Sequence, residues 1–226
     1  MAEDLNWKIL LTPDKASWFA MAGECLPVTA EEFDQMWAAA PEEKATGVMF
    51  GKPVTFPRRT RAYGLDYTFA GQTSEAANVA SAPGHDRYEY WMYHQQLTGV
   101  LVNWHDASDG DYIGPHSDNE STLEKGAPIL SITFCSHEEH YRRFRFQPKK
   151  GHEGRTKTVK LRNGDVLMMG GTCQRTHKHE IMPARKTDAF ENAGRRINVT
   201  LRRFKDSTIT PWPGNKPRLA FDCDQV

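Results

Sequence analysis

The chain has 226 residues, 38% of them hydrophobic, which is enough for one substantial core and favours a single domain over residues 1–226. Its 29 basic and 29 acidic side chains cancel, so overall charge does not announce a nucleic-acid binder, yet the basic residues cluster in Arg58-Arg59-Thr60-Arg61, Arg142-Arg143-Phe144-Arg145, Lys149 to Lys160 and Arg185-Lys186. No apolar run nears the length of a membrane span, Met1 to Lys8 contains Glu3 and Asp4, and Cys25, Cys135, Cys173 and Cys223 lie far apart without a CxxC pair; a non-secreted protein with reduced thiols, in the nucleus or cytoplasm, is expected.

From the N-terminus, Lys8-Ile9-Leu10-Leu11 reads as a short strand. Thr29 followed three residues later by Glu32 is a capping box, and Phe33, Met36 and Trp37 fall on one face behind it, so an amphipathic helix is expected from about residue 30 to 40, closed by Pro41. Val48-Met49-Phe50-Gly51-Lys52-Pro53 places a glycine between two strand-like segments, the pattern of a hairpin tip. Apolar residues there either tuck into the core or form a wedge, because proteins that distort duplex DNA insert such side chains between base steps. Tyr67 and Phe69 alternate along one strand face, Gln72 to Asp86 reads as a loop, and Tyr88 to His94 is ambiguous with a lean to helix. Leu97 to Trp104 reads as a buried strand.

The chemistry concentrates between Tyr112 and Arg203. His116 and Asp118 are two residues apart, so at an extended strand end both side chains project to one side, and a distant histidine can add a third ligand. Two imidazoles and a carboxylate on one side of a metal, with open positions opposite, form the facial triad of non-haem Fe(II) oxygenases. Pro128 to Phe134 and Arg143 to Phe146 read as strands flanking Cys135 to His140, where His137 and His140 offer a rival cluster that lacks the HExxH spacing and is explained by a charged hairpin loop. Gln147 to Lys160 reads as a mobile basic loop, and Asn163-Gly164 as a turn between two strands. His177 and His179 both compete for the third ligand place. On the last strand Arg196, Asn198, Thr200 and Arg202 share one face, and Ile197, Val199 and Leu201 the other.

Taken together, the HxD pair, the His-rich segment and the RxNxTxR run resemble the AlkB-like Fe(II)/2-oxoglutarate-dependent dioxygenases, and Phe50-Gly51-Lys52, Pro57-Arg58-Arg59 and Tyr63 to Gly71 resemble their duplex-DNA repair branch. The resemblance spans roughly residues 28–204. It implies a mainly β fold with flanking helices: a double-stranded β-helix, or jelly-roll, at about 96–204, preceded by a helix and nucleotide-recognition lid at about 28–95 and followed by an irregular tail at 205–226. It implies Fe(II) held by His116, Asp118 and His179, the last chosen because it stands five residues after Gln174. It further implies 2-oxoglutarate and O2 as cosubstrates, with Asn103, Arg196, Asn198 and Arg202 toward 2-oxoglutarate, Arg196 at the far carboxylate and Arg202 near the metal. A planar guanidinium suits a carboxylate as lysine does not.

The same resemblance assigns Phe50 to a finger filling the gap of a flipped base, Tyr67, Phe69 and Glu120 to the base pocket, and Arg58, Lys149, Lys150, Arg155, Lys157, Arg185 and Lys186 to the DNA backbone. The implied activity is oxidative removal of N-alkyl groups, of the 1-methyladenine and 3-methylcytosine type, from duplex DNA by a monomeric enzyme. Alternatives are the same chemistry on RNA or protein side chains, or a non-catalytic nucleic-acid-binding module. Three positions depart from the family pattern: His105 and His177 replace aromatics, and Asn119 replaces an acid.

Overall fold

The computed structural model describes residues 6–11, 16–49, 51–69, 72–192 and 194–205. In chain order the first elements are β1 (Lys8–Leu11), β2 (Ser17–Ala22), α1 (Ala30–Ala38), β3 (Thr46–Met49), β4 (Lys52–Thr55), β5 (Arg59–Tyr63), β6 (Tyr67–Phe69), β7 (Gln72–Ser74) and α2 (His85–His94). They are followed by β8 (Gly99–Asp106), β9 (Ile113–His116), β10 (Ile129–Cys135), β11 (Arg142–Pro148), β12 (Lys157–Leu161), β13 (Val166–Gly171), α3 (Cys173–Thr176), β14 (His177–Ile181), α4 (Ala189–Asn192) and β15 (Arg195–Arg202).

Seven strands form a major sheet in the order β1-β2-β13-β10-β15-β8-β5, and four form a minor sheet in the order β12-β11-β14-β9. Every pairing in both sheets is antiparallel. This two-sheet, mainly β arrangement is the jelly-roll core expected from the sequence. Strand alternation sorts its side chains into two layers. Trp104, Ile132, Phe134, Val199 and Leu201 face outward from the major sheet and pack with Phe33 and Met36 of α1 and Tyr88 and Trp91 of α2. Phe19, Leu167 and Met169 face inward and pack with Phe144, Phe146, Leu161 and Ile181 of the minor sheet. Each side chain of this size stabilises the fold by roughly 1.5–3 kcal/mol when fully buried.

The polar face of β15, which a two-layer protein would ordinarily turn to solvent, is instead enclosed between the sheets. Arg196, Asn198, Thr200 and Arg202 are all buried. Hydrophobic helices already cover the opposite face, so the enclosed polar row is what the fold keeps for a site.

Local signals explain the edges of this frame. The Thr29 capping box is formed, with Glu32 N–H donating to Thr29 Oγ1 at 3.2 Å and Thr29 N–H donating to Glu32 Oε2 at 2.7 Å. The helix ends at Ala38, two residues before the expected limit, where Trp104 Nε1 donates to Met36 O at 3.2 Å and ties its last turn to β8. Gly164 has φ +82°, and a Cβ there would stand 2.5 Å from Pro27 N, so the turn after β12 admits only glycine.

Three expectations need correction. The stretch from Gln147 to Lys160 is not one loop: β11 continues to Pro148 and β12 begins at Lys157, with Phe146 opposite Lys157, because Val159 and Leu161 alternate with exposed Thr158 and Lys160 and give the strand one apolar and one wet face. Gln72 to Asp86 likewise contains β7, a short 3-10 turn at Val79–Ser81 and the start of α2. The core also begins before residue 96, since β1, β2 and β5 all belong to the major sheet. The hairpin at 46–55 is present, with Met49 paired to Lys52, but Phe50 at its tip and the tail beyond residue 205 lie outside the described residues.

Candidate metal and cosubstrate site

The minor sheet brings the histidines together. His116 ends β9 and stands directly across from His179 on β14, with ring centroids 4.3 Å apart. Asp118 follows β9 and turns back, so that its Oδ1 is 3.6 Å from His116 Nε2 and 3.9 Å from His179 Nε2. One donor atom from each residue lies within 4.8 Å of the other two, and this is the one such group among the described residues. His137 and His140 form no such cluster.

Neighbouring residues fix each ligand's direction. His116 Nδ1 is 2.9 Å from Gly114 O, which places the ring proton on that nitrogen and leaves Nε2 as the donor atom. Asp118 N–H donates to Gln174 Oε1 at 2.9 Å, and Ser117 Oγ donates to His177 O at 2.7 Å. The Phe144 ring stacks on His179 at 5.5 Å and 15°. His177 is buried beside its neighbour Thr176, with Oγ1 to Nδ1 2.8 Å, and makes an edge contact with Phe19. It packs into the inner layer and is not in the one group whose donor atoms converge, which favours His179 as the third ligand.

Charge balance is set for a cation. Burial acts to raise the Asp118 carboxyl, but Arg202, His179 and His116 outweigh it and hold it at about 2. Burial and then His116 pull His179 down to about 3, so it is a neutral ligand at physiological pH. Arg202 Nη2 lies 3.0 Å from Asp118 Oδ2, and Nη1 lies 3.4 Å from Glu120 Oε1. Arg202 is therefore engaged by two carboxylates and acts on Asp118.

A cavity of about 410 Å³ opens beside the triad and is lined by Asn103, Ser131, Asn198, Thr200, Arg202, Glu120 and Arg58 among others. Two residues before Asn198 on the same face of β15, Arg196 is 1% exposed, with Nη2 donating to Thr133 Oγ1 at 2.9 Å and with Nε and Nη1 buried and unpartnered. Burial without a carboxylate lowers its pKa to about 9, and Arg142 adds to the effect. The cluster of two imidazoles and a carboxylate fits a divalent metal, and the orphaned guanidinium donors further along the same face of β15 fit an anionic cosubstrate. Asn198 Nδ2 donates to Ser131 Oγ and Ile132 O, at 2.9 and 3.1 Å, which holds its amide in the cavity wall.

Several other expected positions are placed differently. Arg58 was expected on a DNA phosphate, yet it is 9% exposed, donates from Nε to Asn103 Oδ1 at 2.9 Å and lines the cavity; a guanidinium folded inward is a wall residue. Lys149 is half-buried and donates from Nζ to Gln174 O at 2.8 Å, bracing the residue that orients Asp118. Arg185 is exposed, but Asp188 and Glu191 hold its guanidinium at 3.0 Å. Lys150, Arg155, Lys157 and Lys186 remain on the surface. The side chains of Tyr67 and Phe69 lie outside the described residues. Sequence alone assigned Phe144 and Arg142 no place at the site, and it did not point to the pair of half-buried Lys44 with buried Asp111, with Nζ to Oδ1 2.6 Å.

Comparison with known proteins agrees with this geometry. Residues 50–202 match the 2OG-Fe(II) oxygenase superfamily. The DNA oxidative demethylase ALKBH2 of Bos taurus is 30% identical over 167 residues, covering 71% of this chain and 58% of that protein. ALKBH2 of Homo sapiens is 31% identical, covering 69% and 60%, and ALKBH2 of Mus musculus is 31% identical, covering 69% and 65%. The chain thus spans less than two thirds of the length of these relatives. A solved structure of OsALKBH1 superposes with a TM-score of 0.53 at 16% identity, over 87% of this chain and all of that one, and shows the shared fold.

Proposed function

Because this chain belongs to the 2OG-Fe(II) oxygenase superfamily, with its similarity running to the AlkB-type ALKBH2 proteins, we propose that it removes N-alkyl groups of the 1-methyladenine and 3-methylcytosine type from DNA. The observation that carries this reading is the convergence of His116, Asp118 and His179 on a cavity that Asn198, Thr200 and Arg202 of β15 also line. As a member of that superfamily with an intact triad, it is an Fe(II)- and 2-oxoglutarate-dependent dioxygenase.

His116, Asp118 and His179 would hold Fe(II), and Arg196 would hold 2-oxoglutarate. When bound, these groups and O2 supply the oxidation, in which 2-oxoglutarate becomes succinate and CO2 and the methyl group leaves as formaldehyde. The protein's own part is orientation. Arg202 keeps Asp118 ionised and aimed, and the Gly114 carbonyl keeps His116 in the ligating tautomer. Phe144 and the apolar layer behind it keep water from the His179 side.

A methyl carbon inside a stacked duplex cannot reach such a recessed site, so the base has to be extruded. In this reading Phe50 fills the gap, Tyr67 and Phe69 flank the extruded base with His116, and Glu120 reads its exocyclic amine. Exposed Lys150, Arg155, Lys157 and Lys186 meet phosphates, which makes binding salt-dependent. The enzyme acts as a monomer in a reducing compartment, where its thiols stay free; among the described residues no helix is long and apolar enough to cross a membrane.

The test is mass spectrometry of a methylated duplex oligonucleotide after incubation with Fe(II), ascorbate and 2-oxoglutarate. Loss of the mass of one CH2, as N–CH3 becomes N–H, is expected with the wild type and none with His116→Ala. An unchanged duplex with wild-type enzyme, alongside turnover of RNA or a peptide, would transfer the chemistry to another substrate.

A further inference from the structure

One wall of the cavity carries a gap that the fold itself does not require. Tyr112, Gly114 and His116 stand at alternate positions leading into and along β9, so they share one face of the strand, and all three line the cavity. Gly114 is the middle one. Its backbone is not in the left-handed region, and a Cβ built on it would meet nothing beyond its chain neighbours nearer than Tyr112 Cε2, at 4.0 Å. A side chain could stand there without strain or collision, in contrast to Gly164. A strand glycine that neither backbone angle nor packing explains marks a place where something else approaches the backbone closely.

The outer end of this gap is an aromatic ring. Tyr112 is 39% exposed and, of the large hydrophobic side chains that reach such exposure among the described residues, it is the one that lines the cavity. Its N–H donates to Pro57 O at 3.0 Å, which stitches the approach to β9 onto the turn between β4 and β5. Phe56 and Pro57 of that turn line the cavity as well, so the ring sits on a braced rim. From Tyr112 to His116 the strand advances about 13 Å, a span comparable with one nucleotide measured from its base to a flanking phosphate.

We infer that the Gly114 gap receives the pentose of the extruded nucleotide and that the Tyr112 ring packs against that sugar at the rim. With the base against His116, as in the reading above, the glycosidic bond has to lead outward along this wall, and a strand without a Cβ lets the sugar lie on its backbone. The ring offers an apolar face to the sugar carbons. A pentose is common to every nucleotide, so the contact adds affinity for an extruded nucleotide without choosing its base. The inference rests on the demethylase reading and adds the residues that hold the nucleotide by its sugar.

The test is fluorescence-anisotropy titration of the full chain, loaded with Zn(II) in place of Fe(II) so that no turnover occurs. The two probes are a duplex carrying one 1-methyladenine and the same duplex unmodified. The wild type is expected to bind the methylated duplex more tightly, because extrusion costs least at a damaged pair. Gly114→Val is expected to weaken that binding about tenfold or more and Gly114→Ala less, the loss growing with the volume placed in the gap. Tyr112→Ala is expected to weaken it about fivefold and Tyr112→Phe hardly at all, since the ring is what packs. None of the four should alter binding of the unmodified duplex, whose bases stay stacked. Calorimetric Zn(II) binding checks that His116 keeps its direction in the Gly114 variants; should they lose it, the Tyr112 pair decides alone. If the wild type separates the two duplexes and Gly114→Val or Tyr112→Ala separates them equally well, the inference is overturned and the demethylase reading stands. A wild type that does not separate them overturns both.

Discussion

At the scale of single residues, the site is a compromise between burial and charge, and its members depend on each other. Arg202 and Asp118 have side chains only 5% and 4% exposed and are paired at 3.0 Å. Removing one member of a buried pair strands the other, at a cost of about 3–5 kcal/mol. Arg202→Ala is therefore expected to lower the urea midpoint and to weaken metal binding together, because freed of Arg202 the Asp118 carboxyl is less held in its ionised form. A variant with unchanged midpoint and metal affinity would show that the pair is not coupled to the ligand. His179 gives the pH dependence. Its folded pKa of about 3 lies below the usual value of 6.5, so below pH 6.5 the unfolded chain takes up a proton that the folded chain refuses. Stability of the metal-free protein is then complete above that pH and is lost progressively as pH falls toward 3. Thermal unfolding between pH 7.5 and 4 checks this, and His179→Gln should flatten the slope.

At the scale of elements, sequence patterns foretold most of what positions the site. The two faces of β15, the capping box of α1, the hairpin at 46–55 and the Asn-Gly turn could all be read from alternation and turn chemistry. What stayed illegible depended on non-local contacts: that β5 would edge the major sheet, that the basic stretch after Gln147 would pair into β12, and that Arg58 would fold inward onto Asn103. Clustering of arginines in sequence says nothing of which side of a strand they occupy until the partner strand is known. Gly164→Ala tests one legible element: with φ +82° and Pro27 N 2.5 Å from the added carbon, it should destabilise by at least about 1 kcal/mol. A neutral result by denaturant titration would mean that the turn relaxes freely. The β3–β4 hairpin offers another test. Phe50→Ala should reduce demethylation of duplex more than of single-stranded oligonucleotide, since only the duplex has a gap to fill; equal effects on both would remove the finger role.

At the scale of the whole molecule, two packed layers share one sheet. The outer layer of helices against the major sheet makes the fold stable without using the polar face of β15, and the inner layer leaves that face free to build a site between the sheets. Such a division would let a chain with no net charge act on the polyanion proposed as its substrate, because its basic side chains divide between a buried set and an exposed set. It follows that raising salt should weaken binding to DNA strongly but 2-oxoglutarate binding little, because only the exposed set is screened. Titrations at two ionic strengths decide this, and equal salt slopes would contradict it.

The most direct trial of the whole account is succinate release from 2-oxoglutarate, with Fe(II) and a methylated duplex, by the wild type, His177→Ala and His179→Ala. Convergence of His116, Asp118 and His179 on one iron predicts turnover by the wild type, retained turnover in folded His177→Ala, and none in folded His179→Ala. Turnover surviving in His179→Ala but lost in folded His177→Ala would contradict it.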